Sequence, residues 1–181
     1  METETHYVGT LIGRVFLITT KRAIKAWGGV EDEHEDGQSD YDSIVDHVEA
    51  EEAGLDSFSK NADLEYLTFF SMSSKIEIFK SSKGIIICEG LLFNESWDYS
   101  KQLIVTDLEE TSKRIVVDEK DIVIVDAAIN GESLSFENNK DNSEYCAIQL
   151  ENGVYEVKKI QVTVEIDNNP LERMGIELSK S

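Results

Sequence analysis

The side chains that could bind a metal or act as a nucleophile are few and scattered in this sequence. The histidines lie far apart at His6, His34 and His47, and the two cysteines are Cys88 and Cys146. A zinc site needs about four such ligands at short spacings, and a nucleophile needs a neighbouring base. The sequence contains no Cys-x-x-Cys, His-Glu-x-x-His, Gly-x-Ser-x-Gly or phosphate-binding glycine motif. We therefore expect a protein with no metal, no cofactor and no catalytic residues.

Carboxylates are the one reactive group in excess. The 181 residues include 37 Asp and Glu against 17 Lys and Arg, a formal net charge of −20. With so many acids, spacing alone selects no acid–base pair, so an enzyme that uses paired carboxylates stays an alternative. Calcium loops centred on Gly37 or Gly131 are not expected, because His34 or Ala128 occupies a ligand position of the loop.

The acids are concentrated in one segment. Residues 31 to 52 hold eleven acids and neither Lys nor Arg, which is more than half of the net charge. Such a field attracts a cationic protein and speeds its association, whereas it opposes binding to nucleic acid. A solubilising loop is the alternative interpretation. The candidate partner-binding residues are Glu31, Asp32, Glu33, Glu35, Asp36, Asp40, Tyr41 and Asp42.

Two short helices are expected to flank this segment. Thr20 can cap a helix over residues 21 to 27, with Trp27 on its apolar face and Gly28-Gly29 at its end. The spacing of Tyr41 and the apolar residues up to Val48 predicts a second helix that starts at Ser39 or Asp40, with its acids toward water. Tyr41 then either faces the core or is an exposed aromatic anchor for a partner, and both interpretations stay open.

The rest of the chain is predicted to be mainly strands. Apolar runs indicate strands over residues 7–12, 15–19, 64–72, 75–79 and 84–93, the last two joined by a turn at 81–84. A third helix is expected from Asp98 or Ser100 to about Glu110, with Leu103, Ile104 and Leu108 inward. Two hairpins are expected, one across residues 118–120 and one across Glu151-Asn152-Gly153. Pro170 is expected in a loop before the final strand.

These elements predict an α+β fold, predominantly antiparallel β, as a sheet, a sandwich or a partial barrel with two or three short helices. We expect a single domain over residues 1–181, with two halves at about 1–93 and 94–181 as a possible subdivision. No apolar run approaches the ~20 residues of a membrane span, and the acidic N-terminus does not resemble a signal peptide. Both cysteines lie in strand-like runs and are expected to be buried free thiols, which favours a cytoplasmic protein that does not bind membranes.

Four parts of the chain form a recognisable set of motifs. They are Ala26-Trp27-Gly28-Gly29 followed by Ser39-Asp40-Tyr41-Asp42, the segments 85–100 and 122–131, and Leu-Glu-Asn-Gly-Val-Tyr-Glu-Val at 150–157. Together these motifs resemble the immunity protein 21 family of bacterial polymorphic toxin systems. The sequence departs from the family pattern at Val125 and Ala127, where the family has Phe and Ser. It also lacks the cysteine that usually follows Asp-Tyr-Asp.

The resemblance implies a bacterial, cytoplasmic and non-enzymatic antidote. Such a protein binds a cognate toxin domain and blocks its active site or substrate groove. The acidic composition independently favours a basic toxin, because an acidic protein can occupy the basic substrate groove of such a toxin and compete there like a phosphate group. The alternative is an acidic protein-binding regulatory module, or a nucleic-acid-mimic inhibitor, outside toxin systems. The oligomeric state is not predicted.

Overall fold

The computed structural model describes residues 2–3, 5–31, 37–49, 55–61, 64–71, 75–90, 103–136, 145–166 and 169–181. The predicted fold class is confirmed, because the chain is mostly antiparallel β in two sheets with two short helices. The helices are α1 (Lys21–Ile24) and α2 (Asp40–Glu49). The strands are β1 (Glu2–Thr3), β2 (Thr5–Ile12), β3 (Val15–Thr19), β4 (Leu55–Asn61), β5 (Leu64–Phe70), β6 (Lys75–Ser81), β7 (Gly84–Glu89), β8 (Leu103–Val117), β9 (Asp121–Asp126), β10 (Tyr145–Gln149), β11 (Gly153–Ile166) and β12 (Asn169–Lys180).

The chain forms two compact units, and each is assembled from separated segments rather than from one half of the sequence. The first unit comprises residues 1–10, 72–116 and 153–181, and the second comprises residues 11–71 and 117–152. Neither described helix has the length or apolar composition needed to cross a membrane.

The first unit is built on a seven-stranded sheet in the order β1-β8-β11-β12-β7-β6-β2. Its two end strands are β1 and β2, so the N-terminal segment supplies both ends of the strand order. One face buries an apolar cluster that comes from five strands. Its members are Tyr7, Phe79, Ile86, Cys88, Leu103, Val105, Ile160, Val162 and Val164.

The second unit is built on a five-stranded antiparallel sheet in the order β10-β9-β3-β5-β4. Strand β3 lies at its centre, and all five of its residues are buried. Residues of α1 and α2 pack with one face of this sheet. The main members of that cluster are Val15, Leu17, Ile24, Trp27, Ile44, Tyr66, Val123, Val125, Ala127, Leu134 and Tyr145.

The helix expected from Asp98 or Ser100 to Glu110 is wrong over its described part, because strand β8 begins at Leu103. The exposed fractions alternate with a period of two: Leu103 is 1% exposed, whereas Ile104 is 46% and Leu108 is 47% exposed. A helix would have placed all three inward. The β-branched run Ile104-Val105-Thr106 favours a strand and was outweighed by an accidental helical spacing. Residues 98–102 lie outside the described part of the chain.

Neither expected hairpin is present, because the strands on either side of each turn belong to different sheets. β8 and β9 are separated in this way, and so are β10 and β11. The two crossings contact each other instead: the Lys120 amide donates to Asn152 Oδ1 at 2.8 Å, and the Leu150 amide donates to the Lys120 carbonyl at 2.9 Å. A local Asn-Gly signal favours a turn but does not choose the strand that pairs.

The long pairing of the first unit joins β11 and β12 from Tyr155–Lys180 to Ile166–Asn169. Pro170 therefore lies within β12, opposite Glu165, and its expected position in a loop is wrong. The predicted turn at residues 81–84 is confirmed, since Ser81 Oγ accepts hydrogen bonds from the amides of Lys83 and Gly84. Strand β7 ends at Glu89, before the predicted Phe93, and residues 91–100 lie outside the described part.

Candidate protein-binding surface

The chain segments before and after the acidic residues 31–36 are joined to each other by hydrogen bonds. The Gly28 amide donates to Asp40 Oδ2 at 2.7 Å, and the Tyr41 amide donates to the Gly29 carbonyl at 3.1 Å. We call residues 27–29 with residues 39–42 the clamp, and residues 30–38 the acidic loop. Asp32, Glu33, Glu35 and Asp36 lie outside the described residues. The structure therefore fixes the two ends of the loop that carries them.

Trp27 anchors one side of the clamp. Its side chain is buried, its Nε1 donates to the Ala127 carbonyl at 2.7 Å, and its ring packs edge-on against Tyr66 at 5.2 Å between centroids. Thr20 caps α1 as predicted, because its hydroxyl accepts a hydrogen bond from the Ala23 amide. Trp27 belongs to the core as predicted, but α1 ends at Ile24, so Trp27 follows the helix and does not lie on its apolar face as expected.

Gly28-Gly29 lies against the segment that follows β9. The Val30 amide donates to the Ala128 carbonyl at 3.2 Å, and the Gly131 amide donates to the Trp27 carbonyl at 2.8 Å. Gly29 has φ of 64°, and a Cβ there would come within 2.6 Å of the Ala128 carbonyl oxygen. Only glycine meets both requirements, which explains the residue type at this position.

Asp40 does not face water, so the expectation that the acids of α2 point to solvent is wrong at this residue. It is 2% exposed and accepts the hydrogen bond from the Gly28 amide. The first turn of α2 lies directly against the glycine pair, and the carboxylate satisfies a buried amide there. Burial, with a smaller contribution from the charge of Asp40, raises the pKa of Tyr66 to about 12. Asp40 is therefore part of the clamp rather than a contact for a partner.

Ser39 and Asp42 form a reciprocal cap at the start of α2. Asp42 Oδ2 accepts hydrogen bonds from the Ser39 amide at 3.0 Å and the Ser39 hydroxyl at 2.8 Å, and Ser39 Oγ accepts one from the Asp42 amide at 3.1 Å. These hydrogen bonds hold the pKa of Asp42 below its ordinary value. The predicted helix start is confirmed, and the mechanism is a capping box. Asp42 stays exposed despite these bonds.

Tyr41 is half-buried and packs against the apolar cluster of the second unit. Burial makes the largest contribution to raising the pKa of Tyr41, and the nearby carboxylate of Asp126 raises it further. The charge of Arg14 lowers this pKa. Tyr41 is therefore neither fully in the core nor fully exposed as an anchor for a partner, the two interpretations that the sequence left open.

Glu31 is exposed at the beginning of the acidic loop. Its amide donates to the Gly28 carbonyl at 3.3 Å, and its Oε2 accepts a hydrogen bond from Asn130 Nδ2 at 3.1 Å. On the other side of the loop, Asp42 and Asp46 are exposed one helical turn apart. Three carboxylates next to the loop thus remain accessible to a partner.

Asp126 is a carboxylate of this region that the sequence analysis weighed only as a position of the rejected calcium loop at Gly131 and as part of the motif at 122–131. It ends strand β9, its Oδ1 accepts a hydrogen bond from the Ala128 amide at 2.9 Å, and burial raises its pKa. A Cβ at Gly13 would overlap its side chain. The available signal was an acid directly after the buried run Ile122–Val125, at the end of a strand. Its charge adds to the negative field beside Tyr41.

The other groups considered for chemistry are not assembled into a site. Within the part of the chain that the structure describes, no three His, Cys, Asp or Glu side chains are grouped so that they could hold a metal ion. Both thiols are free, but Cys146 is half-buried rather than buried as expected. Burial raises the pKa of Cys88, and it raises that of Cys146 to about 11, which disfavours the reactive thiolate.

Comparison with known protein families, with curated proteins and with solved structures finds no match for this chain.

Proposed function

We propose that this chain is an immunity protein that neutralises a bacterial toxin in the cytoplasm. It binds a basic toxin domain and blocks its active site, and it performs no chemistry of its own. The observation that carries the proposal is the charge of residues 31–52, eleven acids without a Lys or Arg, in a segment whose loop is held at both ends by the clamp.

The clamp supports this proposal because it fixes both ends of the loop before a partner arrives. Ordering a segment on binding opposes association, and a segment whose ends are already fixed has less freedom to lose. The buried bond from Gly28 to Asp40 and the cap between Ser39 and Asp42 provide that fixation. The eleven acids then act as one local field that steers a cationic toxin.

The proposed contact surface comprises the loop acids and their exposed neighbours. Asp42 contributes its exposed carboxylate, Tyr41 contributes the exposed part of its ring, and Asp40 is left out because it is buried. Aromatic groups are enriched at protein interfaces, where they add apolar area to the charge pairs. The remaining members of this surface are Glu31, Asp32, Glu33, Glu35 and Asp36.

The direct test is survival on co-expression with the toxin domain encoded by the adjacent reading frame. We expect cells that carry both genes to grow, and cells that carry the toxin with an empty vector to die. The catalytic activity of the purified toxin should fall at a one-to-one ratio. Death of the co-expressing cells despite soluble, folded protein would refute the proposal.

A further inference from the structure

Strand β8 has a long edge beside which no described strand lies. On one side it adjoins β11, and on the other side β1 pairs only with Leu103 and Ile104. Among the described strands, none lies beside residues 106–116 on that second side. Most of this stretch is exposed, including Leu108 and Val116, which is 61% exposed. An exposed strand edge of this length is a template for pairing with another strand.

The side chains of this edge repeat in a self-complementary order. Every second residue of a strand lies on the same face, so Leu108, Glu110, Ser112, Arg114 and Val116 share one face. All five are exposed. The sequence of types is apolar, acidic, small, basic and apolar, so the two halves around Ser112 are complementary.

A second copy of β8 in antiparallel orientation would place complementary side chains of the two strands opposite each other. When two identical strands pair about a two-fold axis at Ser112, each Glu110 faces Arg114 of the second copy, and each Leu108 faces Val116 of the second copy. Opposite charges and apolar groups that face each other directly stabilise a strand pair. The two-fold axis forms every such pair twice.

The same residues disfavour the neighbouring register. An axis at Thr111 would place Leu108 opposite Arg114 and Glu110 opposite Ser112, which pairs an apolar side chain with a charge and removes the ion pair. The charges therefore select one alignment, whereas a uniformly charged edge would repel its own copy.

The ion pairs that Glu110 and Arg114 make within one copy do not prevent two β8 strands from pairing. Arg114 lies 3.8 Å from Glu156, and Glu110 lies 3.7 Å from Lys158, both on the neighbouring strand. The side chains of Arg114 and Glu110 are 66% and 86% exposed, and the less exposed Lys158 also has Asp107 at 3.5 Å. Surface ion pairs at such distances contribute little to stability. Both side chains can therefore turn toward a second copy without a significant loss.

We propose that this protein forms a two-fold symmetric dimer in which the β8 edges of two copies pair antiparallel about Ser112. A single strand edge buries less than the roughly 800 Å² per partner of a standard interface, so the dimer dissociates on dilution. The inference is independent of the proposed function.

Sedimentation velocity of the full chain at rising concentration tests the dimer. We expect a monomer–dimer equilibrium that Glu110→Arg weakens at least about tenfold, because it places two like-charged pairs at the interface. The double variant Glu110→Arg/Arg114→Glu should restore the dimer. Glu109→Arg is the matched control, since the same charge change there faces Ile115 and should have little effect.

Four results would overturn the proposal: a monomer at all concentrations, a dimer insensitive to Glu110→Arg, no restoration in the double variant, or equal weakening by Glu109→Arg. Loss of toxin binding in Glu110→Arg, with the unaltered chain monomeric, would assign the edge to a partner protein instead. Should the charge variants fail to fold, Ser112→Cys provides a second measurement. It should form a disulfide-linked dimer under mild oxidation, whereas Ser82→Cys, in the exposed turn after β6, should not.

Discussion

Asp40 and Asp42 lie two residues apart on α2 and place their carboxylates in opposite environments. Asp40 is buried against the Gly28 amide, and Asp42 is exposed and bonded to Ser39. Both stabilise the start of the helix, where acids also interact favourably with the helix dipole. Part of the acidity that the sequence suggested for a partner is therefore structural.

Replacing Asp40 by Ala should destabilise the protein by about 1–3 kcal/mol, because it leaves the buried Gly28 amide without its acceptor. Asp46→Ala on the same helix removes an exposed acid and should change the free energy of unfolding by less than about 0.5 kcal/mol. Urea denaturation of both variants measures the difference. Equal stability of the two would show that the bond from Gly28 to Asp40 is not important.

Asp42 predicts a dependence of stability on pH. Its pKa is lowered in the folded state by the hydrogen bonds from Ser39, so the carboxylate stabilises the fold above its unfolded pKa. That contribution is lost as the pH falls through the lower, folded pKa. Asp42→Asn should therefore be less stable than the unaltered chain near neutral pH and approach it in acid. Denaturation curves of both proteins at neutral and at acidic pH measure the two free energies of unfolding. A difference between the proteins that is the same at both pH values would contradict the prediction.

Among the elements, the sequence predicts those whose partners are close in the chain. The Thr20 cap of α1, the start of α2 near Ser39 and the turn between β6 and β7 are confirmed. Helix α1 and strand β7 end earlier than predicted, at Ile24 and Glu89. The helix expected up to Glu110 failed because of an accidental local spacing, whereas the two expected hairpins failed on pairing over long distances. The strands around residues 118–120 and 151–153 cross between sheets, and this choice depends on the whole topology rather than on local turn residues.

In the candidate binding surface, too, the local motifs were predicted and the contacts between distant residues were not. The clamp motifs were visible as Trp-Gly-Gly and Asp-Tyr-Asp, but their mutual bonds were not, because residues 28 and 40 are joined only in the folded chain. Asp126 was not identified as a neighbour of Tyr41 for the same reason. Residue type and spacing indicated where charge is concentrated, and burial decided which acids are accessible.

Gly29 tests the clamp as an element. Gly29→Ala should destabilise the chain more than Gly37→Ala, because both have a positive φ but only Gly29 lies against the Ala128 carbonyl, and nothing lies within 4 Å of a Cβ at Gly37. The shared strain is about 1 kcal/mol. Thermal or urea denaturation measures the stability of the two variants, and the difference between them reports the contact of the added Cβ with the Ala128 carbonyl. Similar losses for both would mean that the loop segments do not pack as described.

For the whole molecule, the distribution of charge matters more than its total. A net charge of −20 repels any polyanion, but only residues 31–52 concentrate eleven acids without an opposing base. Among these eleven acids, the folded chain exposes Glu31 and Asp42 and buries Asp40. We therefore propose that the toxin is recognised by the exposed acids of this segment and not by the net charge of the whole protein.

The most direct measurement is the association rate with the toxin as a function of salt concentration. One variant carries Gln or Asn at Glu31, Asp32, Glu33, Glu35 and Asp36. The matched control carries the same number of neutralised acids at exposed positions elsewhere, namely Asp107, Glu109, Glu119, Glu165 and Glu172. We predict that the loop variant associates at least about tenfold more slowly at low salt and loses most of its salt dependence, while the control stays close to the unaltered chain. Equal effects of the two variants, or no effect of the loop variant, would contradict the account.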